Sequence, residues 1–555
     1  MRFASLALAA LCLLVLFTGL GRPGAIDQRE ARDAQVAREL AAQRELLTPK
    51  LGLEAWLEKP LLAYLPEVLL RFVAPDTPLA ARLLKAALAL ALVLLTVSVG
   101  ARHFGARAGL FAGLVLASSL ALPVAVRSDG TQLLGSLLGW IGCAGLADAV
   151  FGRAAGREPR LVVTYVAIAA ALLCAGPLPA AWPCLGFALY ARLARTPDAR
   201  RLVRPLPGLA IVIGLALPWY GAMTELHGAE FLRHAPFFPY AAEARGPWYA
   251  SLVLPFALLA VGAFPWSTLL PAAMLHAAAW WRFTPRARQA GAAAPARAER
   301  PTDPLSREQR EETAAHFFIA ALLAALVPVV LYPGPPLPAS LPALPAVALL
   351  CGRWLDHLFE DPPRLNDGLG YATRMLWILG GVGAVLLVLL APRVPEASQA
   401  LRLLGAAVLL ASSAPYLARL IGRPRLSAVL IAAPVAVGAP IATLRVLPAM
   451  EGYLNTREVV AALDVAAPAR APLVLIEPPP PSLRLYVGRN LVTRDPAAGE
   501  LASLTASGVT LAGSDGHVYL AFRPAREHEV ARALAMPLEI MLRTPTLVLA
   551  RVRPG

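Results

Sequence analysis

The residues best able to do chemistry in this sequence are a few carboxylates and cations beside long apolar runs. A charge there is costly unless it has a task or a partner. The first group is Asp27-Gln28-Arg29-Glu30-Ala31-Arg32-Asp33, directly after an apolar run. It offers a base for deprotonating an acceptor, or a metal ligand; it reads equally as a solvated helix start with i, i+4 pairs such as Arg29 with Asp33. The second is Glu58-Lys59-Pro60, an acid and an ammonium before a proline that can open the next helix. Lys59 suits a phosphate as a point charge, and the plain alternative is an exposed Glu–Lys pair. The third, Arg127-Ser128-Asp129-Gly130, is a tight turn in which Asp129 is either a site acid or a helix cap. The fourth runs from Leu217-Pro218-Trp219-Tyr220 through His234 to Gly246-Pro247-Trp248-Tyr249. Interfacial aromatics commonly form a belt, so His234, Trp248 and Tyr249 read as cavity-lining or as structural. Asp148, at the end of another run, is expected to pair with Arg153.

The elements that must position these residues are membrane helices. The chain has 555 residues, is 57% hydrophobic, has a mean hydropathy of +0.59 and carries only 16% charged residues. A soluble domain averages roughly 45–50% apolar. Apolar runs near 4–20, 80–99, 106–125, 132–150, 161–175, 177–191, 207–222, 250–279, 315–332, 338–352, 375–391, 401–418 and 427–446 predict about thirteen spans. The first has Arg2 before it, as a signal peptide would, but Gly19-Leu20-Gly21 makes a poor cleavage site, so it is expected to stay. The net charge of +15 sits mainly as arginine in alternate connections: Arg102 and Arg107; Arg153, Arg157 and Arg160; a set at 192–204; another at 282–310; Arg353 and Arg364; Arg419, Arg423 and Arg425. By the positive-inside rule this puts the N-terminus in the cytoplasm and the C-terminus outside it. Such placement argues against nucleic acid as a partner. The five cysteines all lie within apolar runs with no close pair of metal-ligand type, so no metal or cofactor is assigned.

Three pieces lie outside the runs. Residues 21–78 form a first outer loop whose stretch Glu30 to Leu47 has amphipathic helical spacing suited to a membrane surface. Residues 281–314 are a basic linker rich in Ala, Arg and Pro. Residues 448–555 alternate short apolar runs (473–476, 483–487, 518–522 and 547–552) with helical patterns near 457–465 and 525–536, which reads as a small extracytoplasmic α/β domain after a membrane domain of 1–447.

Together these groups resemble the GT-C glycosyltransferases of the lipid A aminoarabinose transferase and protein O-mannosyltransferase type. The resemblance lies in Glu30-Ala31-Arg32 with Ala34-Gln35-Val36-Ala37-Arg38-Glu39-Leu40, similar to the family's "DEARYA…REM"; in Glu58-Lys59-Pro60, similar to "EKP"; and in Leu217-Pro218-Trp219-Tyr220 and Gly246-Pro247-Trp248-Tyr249, similar to "PWY". Further pieces are Phe264-Pro265-Trp266, Leu337-Pro338 to Leu341-Pro342-Ala343-Leu344-Pro345, and Ser482-Leu483-Arg484-Leu485-Tyr486-Val487-Gly488-Arg489, similar to "FPW", "KLPHYLLPALP" and "SLAFYLGR".

The resemblance implies a polytopic α-helical GT-C fold in a bacterial inner membrane. It also implies inverting transfer of a sugar from a polyprenyl-phosphate carrier to an envelope acceptor, whether lipid A, another glycan or a protein. Membrane lipids are then the surrounding partners. In the family a first-loop aspartate is the base, and that position is Arg29 here. The family's Lys, His and Tyr of "KLPHY" fall at Pro336, Ala339 and Ser340, and its "TD" acid at Gln132, with Asp129 displaced. The base is therefore expected among Asp27, Glu30 and Asp129. Donor-phosphate binding is expected from Lys59 with Arg32 or Arg127, and the cavity lining from Glu58, His234, Trp248 and Tyr249. A non-catalytic relative that binds polyprenyl lipid or a partner protein is the alternative. A transporter is disfavoured because the midspan regions lack paired ionisable residues.

Overall fold

The structure, a computed structural model, describes the chain apart from residues 1, 28, 44–45, 53, 129, 153–156, 195–196, 235–247, 280–306, 332–336, 469–470, 477–478, 489–490, 494–514, 535–536 and 554–555. Asp129, most of the basic linker and Pro336 lie outside the described residues. For His234, Trp248 and Tyr249 only the helical backbone is described.

The body is a bundle of apolar helices. It opens with α1 (Arg2–Cys12), continued to Phe17 by a π-turn, then α2 (Arg29–Gln43) and α3 (Leu65–Leu70) in the first loop. There follow α4 (Pro78–Phe104), α5 (Ala106–Ala117), α6 (Ala121–Val126), α7 (Gly130–Phe151) and α8 (Arg157–Ala175). Among the described residues eight helices are long and apolar enough to cross a membrane: 78–104, 130–151, 157–175, 199–233, 310–331, 365–393, 395–420 and 424–449. Arg2–Phe17, Ala106–Ala117 and Val253–Gly262 are shorter apolar helices. The remaining two apolar runs of the sequence are also helical, as Trp182–Leu193 and Leu344–Glu360. The chain is thus a multi-pass helical membrane protein.

Glycine and alanine set the closest crossings. A methyl group added at Gly100 would come within 2.8 Å of the Gly109 Cα, and one at Gly352 within 2.6 Å of the Ala112 backbone. Helix α5 is therefore clamped between α4 and Leu344–Glu360 by small residues, as membrane helices without a hydrophobic driving force between them require. Thr77 caps α4 by accepting the Ala80 N–H, with Pro78 in the first turn.

The bundle has two unlike ends. Asp148 lies at the arginine-rich one, where it pairs with Arg102 (2.6 Å) and His103 (3.1 Å). The expected partner Arg153 lies outside the described residues. The first loop lies at the other end.

The C-terminal region carries a five-stranded mixed sheet in the order β4-β3-β5-β7-β6. Its strands are β3 (Leu473–Leu475), β4 (Leu491–Thr493), β5 (Val518–Phe522), β6 (Glu539–Arg543) and β7 (Val548–Val552), after a short hairpin of β1 (Lys50–Leu51) and β2 (Glu54–Ala55) in the first loop. β3 runs parallel to β4 and β5, and β7 antiparallel to β5 and β6. Alternate residues cover the two faces. Leu473, Leu475, Tyr519 and Leu549 meet the helix Arg457–Ala466, while Val474, Leu520, Phe522 and Val548 meet Val530 and Leu534 of Glu527–Leu534. The 483–487 run is helical through Tyr486, as part of Pro481–Tyr486, instead of a strand.

Candidate active site

The acid group of the first loop forms the start of α2, and the helix does not simply rest on a membrane surface. Glu30, Ala31, Asp33, Val36, Ala37 and Leu40 are all buried. Val36, Ala37 and Leu40 pack on Tyr64 and Val68 of the α3 segment, and Ala31 packs on Leu485 of the C-terminal region. The amphipathic spacing serves protein packing on two sides.

Two consecutive residues of α2 bind two consecutive residues of the loop before α3. Asp33 accepts both oxygens' worth of hydrogen bonds from the Lys59 ammonium, at 2.9 and 2.7 Å, and both residues are buried. Arg32 reaches Glu58 at 3.4 Å and lies over the Trp56 ring at 5.1 Å. The exposed Glu58–Lys59 pair, the plain alternative from sequence, does not form, each residue being turned to α2. Burial raises the Glu58 carboxyl above its ordinary 4.5, against the pull of Arg32 and Lys59. The buried Tyr64 hydroxyl, beside Asp33 and Glu58, is pushed well above its usual range, chiefly by burial.

One turn earlier, Glu30 makes a bidentate pair with Arg82 of α4, at 2.8 and 2.7 Å, and also accepts the Ile26 N–H at 2.9 Å. Arg82 spends its remaining donors on the carbonyls of Leu20, Pro23 and Gly24. Lys85 lies 3.7 Å from Glu30 and 3.4 Å from Glu67. Burial alone would raise the Glu30 carboxyl, but Lys85 and Arg82, with the hydrogen bonds from Arg82 and Ile26, hold it below 4.5. Glu30 thus fixes the entry of α2 to α4.

Asp27 faces the C-terminal region. Its Oδ1 accepts the Ser482 N–H at 2.7 Å, at the start of the helix Pro481–Tyr486. Burial raises its carboxyl above the ordinary 3.8, and the Ser482 bond opposes that shift. The same helix returns three further contacts to the first loop: the Tyr486 hydroxyl accepts the Ala25 N–H, the Leu485 carbonyl accepts from Arg38, and Leu485 packs on Ala31. Arg127, at the end of α6, donates to the carbonyls of Pro123 and Thr18, and burial followed by the Arg82 charge lowers its guanidinium to about 10.

The other sequence motifs pack against the first loop or within the helix bundle. Trp219 donates to the Leu47 carbonyl, Tyr220 to that of Leu172, and Met223 and Phe231 pack on Leu57. Trp266 is fully buried and donates to Ser118. Ala339 and Ser340 are buried, and Ser340 bonds the Leu337 carbonyl. Gln132 is buried near the start of α7.

Arg82 and Lys85 were not among the residues singled out from sequence, since they sit in the first turns of an apolar run and read as its flank. Composition carried a signal. Only Lys50, Lys59 and Lys85 are lysines among 51 basic residues, leaving 51 − 3 = 48 arginines, and two of the three are buried around α2. A compact, strongly hydrated ammonium is used where a planar guanidinium would not substitute for it.

No family model matches the sequence, and no curated protein matches it. Among solved structures, ArnT from Cupriavidus metallidurans in the apo state aligns with a TM-score of 0.73 at 18% identity, covering 99% of this chain and 97% of that one. The same protein bound to undecaprenyl phosphate aligns with a TM-score of 0.72 at 18% identity over the same shares. An oligosaccharyltransferase from Archaeoglobus fulgidus tethered with an acceptor peptide aligns at 0.46 and 10% identity, covering 96% of this chain and 71% of that one, too loosely to bear on function. Aligned almost end to end with ArnT, the chain shares the multi-helix membrane fold of that structure.

Proposed function

We propose that this protein is a membrane glycosyltransferase that takes a sugar from a polyprenyl-phosphate carrier and delivers it to an envelope acceptor. The observation that carries the reading is the buried polar centre formed by α2, residues 58–59 and the start of α4 at one end of an otherwise apolar bundle, within a fold shared along its length with a protein that binds undecaprenyl phosphate.

In an inverting transfer the acceptor oxygen attacks the anomeric carbon and loses its proton to a carboxylate. The bond from that carbon to the phosphate oxygen breaks, and the polyprenyl phosphate departs with the electron pair. Cations must hold the departing phosphate. Lys59 with Arg32 or Arg127 serves it.

For the base, Glu58 now stands ahead of Asp27 and Glu30. Asp27 is engaged with Ser482 and Glu30 with Arg82, whereas Glu58 has a long 3.4 Å contact and a carboxyl that burial raises above its ordinary value. Asp129 stays a candidate from sequence. The reading also implies a bacterial inner-membrane location with the first loop and the C-terminal region on the outer side.

One observation favours the second reading, a relative that binds lipid without turnover. Asp33 already satisfies Lys59, so a donor phosphate has to displace a carboxylate, and Arg29 stands where the family has its base. Mass spectrometry of lipid extracts from a deletion strain and its parent separates the two. A sugar-modified envelope component lost on deletion supports transfer, and an unchanged glycan and lipid profile supports binding alone.

A further inference from the structure

A second polar site lies at the arginine-rich end, away from α2. Between α4, α7 and α8 there is an open groove of about 410 Å³, lined by Leu95, Ile141, Ala144, Val163 and Thr164, with Arg102, Asp148 and Arg160 at its rim. Leu95 and Arg102 are seven residues apart on one helix, which makes the groove roughly 10 Å deep along the bundle. Its floor is closed because α7 and α8 meet at Gly145, where an added methyl would clash with the Thr164 hydroxyl. Its open side faces outward, with Val163 59% exposed and Val162, Val166 and Leu94 exposed around it.

The rim carries surplus positive charge. Asp148 is paired with Arg102 at 2.6 Å, and the His103 Nε2 lies 3.1 Å from it. Glu158 is taken by Arg204. Arg160 is exposed with no ion-pair partner among the described residues, and Arg157, one turn before it, has a buried Nε that no hydrogen bond satisfies. An apolar trough whose rim carries two guanidinium groups against one carboxylate matches an amphiphile with an anionic head, and basic pockets between membrane helices select such lipids.

We propose that this groove is a binding site for an anionic phospholipid, its phosphate on Arg160 and Arg102 and the first carbons of one chain along Leu95, Ile141 and Val163. The occupant is a membrane phospholipid and not a free phosphate, because most of the lining is apolar and opens sideways.

The full chain in detergent, titrated with phosphatidylglycerol or phosphatidylcholine and read by native mass spectrometry, tests this. The wild type is expected to retain phosphatidylglycerol about tenfold more tightly. Both Arg160→Glu, which reverses the rim charge, and Val163→Trp, which fills the groove and keeps the charge, are expected to abolish that preference. Both positions are exposed, and an unchanged melting temperature in phosphatidylcholine certifies the fold of each. Equal retention of the two lipids by the wild type overturns the proposal, as does either variant keeping the preference, or glycerol phosphate alone competing as well as the intact lipid.

Discussion

Glu30 and Asp33, one turn apart on α2, show how a single helix face serves the fold and the site together. Glu30 and Arg82 are both buried, so removing one partner leaves an uncompensated charge, which costs about 3–5 kcal/mol. Glu30→Gln is therefore expected to lower the melting temperature and open the first loop to proteolysis, while Arg543→Ala, at an exposed pair with Glu527, is expected to do far less. The pH dependence has a definite sign. Because Glu30 is held below 4.5 in the folded protein, its stabilisation is full above 4.5 and is lost as the pH falls through the lower folded value. Proteolysis of the first loop over that interval measures it. Glu58 has the opposite shift. As a base it gains activity while it ionises, so sugar transfer is expected to rise through a limb above the ordinary 4.5, and Glu58→Gln is expected to remove both the limb and most of the rate.

At this scale the sequence disclosed the anions better than their partners. Asp27, Glu30, Glu58 and Lys59 stand in loops between apolar runs, where a charge is conspicuous. Arg82 and Lys85 stand inside the first turns of α4, where long basic side chains ordinarily snorkel to the interface, and only three dimensions show that they turn inward to Glu30 and Glu67. The partner of Lys59 was equally hidden, because the neighbouring Glu58 looked nearer than Asp33, which the helix brings 26 positions back to it.

Among elements, the short helix Pro481–Tyr486 matters most to the candidate site. It presents the Ser482 N–H at its start to Asp27, and the Tyr486 hydroxyl and Leu485 carbonyl at its end to the first loop. Tyr486→Ala is expected to speed amide exchange in residues 24–40 by several-fold and to leave β5 and β7 protected, because those strands lie in the sheet core. Sequence patterning read 483–487 as an apolar run among strands. Six residues are too few for helical period to declare itself, and what decides the outcome is Pro481 in the first turn together with packing of Leu483 on the sheet. The long membrane helices were legible because composition alone specifies them. The short ones, such as Ala106–Ala117, depend on Gly100 and Gly352 for their place.

For the whole molecule, the arrangement of charge along the bundle axis leads to a topology. The arginines at 102, 107, 157, 160, 353 and 419–425 are expected on the cytoplasmic side and α2 with the C-terminal sheet outside. Alkaline phosphatase fused after Gly555 is expected to be active and the same enzyme inserted at 290 inactive; the reverse pattern would invert the account. The claim that matters most is that a polyprenyl-phosphate lipid sits against Lys59. Its direct measurement is the retention of a polyprenyl-phosphate-linked sugar by the purified protein in lipid nanodiscs, wild type against Lys59→Ala. Saturable retention that weakens about tenfold or more in the variant is expected, with release of free polyprenyl phosphate by the wild type when an envelope extract is added. Equal retention by both proteins would contradict it.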